Sequence, residues 1–189
     1  MAFERGQPSS RDLICQQLFL EVRSHKLGFA IVNGTELVDW GVRFFPPGAA
    51  GTEMALKILA FLVKIYAPSI VVARRTRRVK HASSEKASYV FRKIQRELKR
   101  RSIRFTTIPR RDVRRFFVRQ GCFTKPEIEA FVAQNFGELK FKLPGRRRLW
   151  DKEPYVVPAF DALATALVFK RSVETGESGR YRPAPPADV

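Results

Sequence analysis

Three short apolar runs separated by turn residues open the chain, and they constrain its fold more than any other feature. Leu13–Val22 carries Leu18-Phe19-Leu20, Gly28-Phe-Ala-Ile-Val32 follows within a few residues, and Glu36–Phe45 alternates through Leu37, Trp40 and Val42 until Pro46-Pro47-Gly48 ends it. Runs of this length bounded by turn signals read as strands. Asn33-Gly34 predicts a type I′ hairpin between the second and third runs. Together they predict an antiparallel meander.

Beyond Pro47 the period changes. Thr52 is a plausible N-cap for a helix whose apolar positions are Leu56, Leu59, Ala60, Leu62 and Val63, stopped by Pro68. Ser69–Ala73 is β-branched and reads as a buried parallel strand. A helix over about Ser84–Arg101 has one apolar stripe, Ala87, Phe91, Ile94 and Leu98. Ile103–Ile108 is a fifth strand, and Pro109–Val118 a short helix with Pro109 at its start and Val113, Phe116 and Phe117 on its apolar side. After the Gly121 break, Thr124-Lys-Pro-Glu127 is a capping box opening a helix to about Phe136, with Ile128, Phe131 and Val132 inward. The last helix is Val157–Val173. The order βββαβαβααα predicts an α/β fold: a mixed five-stranded sheet, three antiparallel strands then two parallel, flanked by helices. Residues 13–173 form one domain, 1–12 read as a flexible tail, and 174–189 as a disordered Pro-rich tail.

Charge then says what such a domain would meet. The net charge is +18, but residues 74–119 hold 18 basic and 3 acidic side chains, a net of +15. Apolar residues interleave that block, so it belongs to the fold rather than to a solvated run. An excess of this size attracts polyanions, of which nucleic acid is the usual one. Arg74, Arg75, Arg77, Arg78 and Lys80 are the first candidate contacts, and His81 lies in the same run. Arg92, Lys93, Arg96, Lys99 and Arg100 cover the second helix, and Arg110, Arg111, Arg114 and Arg115 the third. A helix with this many basic positions has a side free for phosphates. Arg146-Arg147-Arg148 with Trp150 would grip or stack on a strand, or Trp150 is a buried anchor.

Other chemistries find little support. Cys15 and Cys122 are far apart, with neither the spacing of a zinc site nor a nearby base, which argues against a disulfide framework and thiol catalysis and fits a reducing cytoplasm. The N-terminus lacks the apolar stretch of a secretory signal, and Lys57 and Lys64 interrupt the longest apolar run, so no membrane role is expected. No Gly-rich phosphate loop is present.

One run carries a resemblance. Leu18-Phe19-Leu20-Glu21-Val22-Arg23-Ser24-His25-Lys26-Leu27-Gly28-Phe29-Ala30-Ile31-Val32 has a strand ending in an acid, a tight turn, then Gly-aromatic-small-aliphatic. Later come Ile108-Pro109, Asp112-Val113-Arg114, Gly121, Thr124-Lys125-Pro126-Glu127, and Asp161-Ala162-Leu163-Ala164-Thr165-Ala166-Leu167. In order and spacing these pieces resemble the RuvC-type Holliday-junction resolvases of the ribonuclease-H-like superfamily, over about residues 13–172. The resemblance implies acids at the end of strand one, at the end of strand four and on the last helix, holding two divalent metals that activate water against a phosphodiester. Glu21 and Asp161 match such positions as catalytic and metal residues, with Mg²⁺ or Mn²⁺ as the implied cofactor. Strand four instead ends Val72-Ala73-Arg74, and the acid a turn before Asp161 is Pro158. Asp151 and Glu153, just upstream of the last helix, are the acids that could swing in.

Arg74 beside the two surviving acids predicts a replacement, with its guanidinium fork, or a neighbour's, pairing Glu21 and Asp161 where metal would sit. The alternative leaves Arg74 in solvent. His25, in the turn beside the site, either touches a phosphate or is simply exposed. Three functions follow: a nucleic-acid-binding protein that has lost cleavage, the foremost reading, with DNA ahead of RNA as its partner; a Mg-dependent structure-specific endonuclease; and a basic adaptor for an acidic protein. The resemblance implies a homodimer as well, and the helix at Thr52–Tyr66 is apolar enough to be core or interface.

Overall fold

The computed structural model describes residues 16–75, 82–145 and 153–176. Cys15, Arg77, Arg78, Lys80, His81, Arg146, Arg147, Arg148, Trp150 and Asp151, the tail 1–12 and the end of the C-terminal tail lie outside the described residues. Strands β1 (Gln16–Val22), β2 (Lys26–Asn33) and β3 (Glu36–Phe44) form the antiparallel meander. Helix α1 (Gly48–Tyr66) leads to β4 (Ile70–Arg75), and α2 (Ala82–Arg100) to β5 (Phe105–Pro109). Helices α3 (Arg110–Arg119), α4 (Lys125–Asn135) and α5 (Val157–Glu174) complete the chain. The sheet order is β3-β2-β1-β4-β5, with β4 parallel to both β1 and β5.

The alternation of side chains along a strand divides the core in two. Leu18, Leu20, Val71 and Ala73 face α1 and α2, whose Leu59, Leu62, Ile94 and Leu98 are buried there. Phe19, Val72 and Ala30 face the other way, under α3, α4 and α5. The predicted stripe of α2, Ala87, Phe91, Ile94 and Leu98, is buried throughout.

Local chemistry departs from expectation at three points. Thr52 does not cap α1: the helix begins a turn earlier behind Pro47, and Thr52 donates its hydroxyl back to the Gly48 carbonyl at 3.2 Å. The hairpin loop is Gly34-Thr35, since Asn33 pairs with Glu36, and only Gly34 has positive φ (60°), the II′ pattern and not I′. A 3-10 helix at Gly137–Lys142, with buried Leu139 beneath it, has no counterpart in the expectation. The Thr124 capping box is present, with Glu127 accepting from the Thr124 backbone N–H at 2.8 Å. Met54, Phe61 and Ile65 of α1 are exposed while Ala55, Leu59 and Leu62 are core. No helix among the described residues is long and apolar enough to cross a membrane.

Candidate functional site

Because β1, β4 and β5 are parallel, their C-terminal ends meet at one edge of the sheet. Such an edge is where open α/β sheets present their sites. Here it gathers Glu21 and Arg23, Arg74 and Arg75, and the start of α3 at Arg110. Alternation puts Glu21 and Arg23 on the α5 side with Phe19, and Arg74 there with Val72.

Gly28 brings α5 onto that side. It pairs with Glu21 across β1 and β2, and a Cβ placed on it would lie 2.2 Å from the Pro158 carbonyl oxygen. The missing side chain lets the first turn of α5 lie directly on β2, which carries Asp161, one turn on, over the end of β1.

The Arg74 guanidinium lies between the two acids. Nε donates to Glu21 Oε2 at 2.9 Å, and Nη2 donates to Glu21 Oε1 at 2.5 Å and to Asp161 Oδ2 at 3.2 Å. The expected pairing is therefore present, and the solvent-facing alternative is not. Arg23 is a second bridge. Its Nη2 donates to Asp161 Oδ2 and its Nη1 to Glu153 Oε2, both at 2.5 Å, while its Nε stands 3.6 Å from Glu21 Oε1. Glu153 also receives Lys26 at 3.1 Å and Lys125 at 2.9 Å. Glu153 does reach the site, but its carboxylate is held by three cations and not aligned with the other two acids as a ligand set.

Burial raises the Glu21 pKa above the ordinary carboxylate value, with Asp161 adding to the rise and Arg74 and Arg23 opposing it. For Arg74, burial works against the charge, but Glu21 and Asp161 outweigh it and raise the pKa. Burial also pushes Glu153 upward, yet the hydrogen bonds from Arg23 and Lys125 bring it down to about 2.

These residues do not fit a divalent metal. Magnesium needs converging oxygens with open positions between them, and the space between Glu21 and Asp161 holds a guanidinium hydrogen-bonded to both. Among the described residues no three acids, histidines or cysteines converge to hold a metal ion.

The remaining candidates are scattered. Arg92, Arg96, Arg110, Arg111, Arg114 and Arg115 are exposed and Lys93 is half-buried. α2 and α3 lie on opposite faces of the sheet, so the basic block is two surfaces and not one. Arg92 borders a cleft with Ser24, Lys86 and Tyr89 on the α1–α2 side. His25 is exposed, with its Nδ1 2.8 Å from the Ser24 hydroxyl. Arg23, Lys26 and Lys125 went unnoticed in the sequence. The two-residue step from Glu21 to Arg23 would have placed Arg23 on the same face, but nothing local ties Lys125 to β1.

This topology is a ribonuclease-H-like fold, of the kind seen in RuvC structures. The chain is similar to Thermus thermophilus RuvC in complex with a Holliday junction substrate (TM-score 0.63, 16% identity, 89% of this chain and 99% of that one). A second Thermus thermophilus RuvC structure matches at TM-score 0.63 and 15% identity over the same shares, 89% and 99%. The yeast mitochondrial Holliday junction resolvase Ydc2 matches at TM-score 0.61 and 8% identity, over 84% of this chain and 80% of that one. No family profile and no curated protein sequence matches.

Proposed function

We propose that the protein binds nucleic acid, DNA in preference to RNA, on a RuvC-type scaffold without metal-dependent cleavage. The observation that carries the reading is Arg74, which hydrogen-bonds both Glu21 and Asp161 where hydrolysis would require a metal. The exposed arginines of α2 and α3, and Arg75 at the end of β4, supply the phosphate contacts. The Thermus thermophilus RuvC to which the chain is similar is complexed with a Holliday junction substrate, which supports DNA as the partner.

The test is a gel-shift and cleavage assay on single-stranded, duplex, four-way-junction and RNA–DNA substrates with Mg²⁺ or Mn²⁺. Binding without cutting is expected, with affinity falling about 0.9 log units per log unit of salt for each duplex phosphate contacted. Cutting that vanishes in Glu21→Gln and Asp161→Asn would overturn the proposal in favour of an endonuclease. Binding to none of these substrates would overturn the proposal in favour of an acidic protein partner.

A further inference from the structure

Three donors converge on one carboxylate at the mouth of the site. Arg23 Nη1 and Lys26 Nζ reach Glu153 Oε2 at 2.5 and 3.1 Å, and Lys125 Nζ reaches Oε1 at 2.9 Å. These donors come from the β1–β2 turn, the first residue of β2 and the first residue of α4, so tertiary structure builds the convergence. Arg23, Lys26, Arg74 and Lys125 face the carboxylates of Glu21, Asp161 and Glu153. Four cations against three anions leave one net positive charge with Glu153 in place, and two when its carboxylate leaves.

We infer that this trio is a phosphodiester-binding slot and that Glu153 is its internal occupant, displaced when a nucleic-acid strand binds. This rests on the nucleic-acid reading above and deepens it. A phosphodiester carries the same single charge as a carboxylate and presents a similar pair of oxygens to the same donors. The three acids are not equally removable. Glu21 lies in a strand and Asp161 in a helix, their side chains 9% and 13% exposed, whereas Glu153 lies in irregular chain ahead of α5, its side chain 22% exposed. Glu153 can therefore leave without breaking a sheet or helix hydrogen bond. The slot opens at Lys125, which is 47% exposed. Phe123, two residues before Lys125, and Tyr155, two after Glu153, are exposed rings that suit bases flanking a held phosphate, which favours a strand over free phosphate.

The experiment compares wild type with Glu153→Gln in salt titrations against a labelled single strand and a labelled four-way junction, with inorganic phosphate as a separate arm. E153Q frees Lys26 and Lys125 and leaves Arg23 to Asp161, so tighter binding by about tenfold and a log–log salt slope steeper by about 1–2 are expected. Adding Lys26→Met and Lys125→Met to E153Q should return both to wild-type values. Wild-type binding with E153Q unchanged in affinity and slope overturns the slot while nucleic-acid binding stands. Failure of both proteins to bind at ~50 mM salt removes the proposed function and the slot together. Inorganic phosphate that stabilises E153Q to heat with no gain in strand binding overturns the strand as ligand. Acylation of lysines in the wild-type protein guards against a misfolded variant. Lys125 should be protected by saturating strand, and equal labelling with and without it overturns the slot.

Discussion

Replacing Arg74 with alanine tests the central feature of the site. Arg74 makes two hydrogen bonds to Glu21 and one to Asp161, and the three side chains are only 15%, 9% and 13% exposed. The variant leaves Glu21 with a single nearby cation, Arg23 at 3.6 Å, and a second carboxylate beside it. Breaking a buried pair on one side costs about 3–5 kcal/mol, because the remaining charge is uncompensated. For a chain of this size that lowers the melting temperature by roughly 6–20 °C.

The loss should depend on pH. Glu21 is already raised by burial, and without Arg74 it rises further. An acid whose folded pKa is raised takes up a proton on folding, so R74A should lose stability as pH rises above about 4.5, the unfolded value. Urea titrations at acid and neutral pH would measure this, and Arg74→Ala with Glu21→Gln should recover much of the loss. A cost below about 1 kcal/mol at neutral pH, the worth of an exposed pair, with no pH dependence, would refute the argument.

Two further predictions concern the fold, one beside the site and one on the α1 side of the sheet. Gly28→Ala places a Cβ 2.2 Å from the Pro158 carbonyl oxygen, so α5 must shift. Overpacking of that kind costs about 1–3 kcal/mol, read by urea titration, and a neutral result would remove Gly28 from the account. Tyr66 donates to Asp39 at 2.5 Å, and that bond, with burial adding, raises its pKa to about 12. The stability it lends should be complete below pH 10 and lost between pH 10 and about 12, and Tyr66→Phe should abolish that dependence in alkaline melts.

Much of the frame was legible in the chain because each piece depends on neighbours in sequence. Alternation and turn residues mark β1 to β3, and the capping box of α4 depends only on Thr124 and Glu127. Details that hinge on one residue of register were less legible. Asn33-Gly34 announces a hairpin, but the Asn33–Glu36 pairing decides which two residues form the loop. Thr52 has a capping side chain, yet the helix already starts at Gly48.

The site divides in the same way. Glu21, Arg74 and Asp161 could be named in advance because the motifs around them resemble those of the RuvC-type resolvases, whose acids fall at these places. The role of Glu153 could not, since its partners Arg23, Lys26 and Lys125 lie 130, 127 and 28 residues away along the chain. The basic block is the converse case, because one stretch of sequence becomes two surfaces when α2 and α3 pack on opposite faces of the sheet. Sequence alone determined the succession of strands and helices and the basic excess, since these are properties of local period and composition, while the family resemblance marked the arginine as standing where an acid is expected. Tertiary structure decided which charges meet, because Coulombic pairing depends on distance through space, and the close approach of α5 to Gly28 sets that distance.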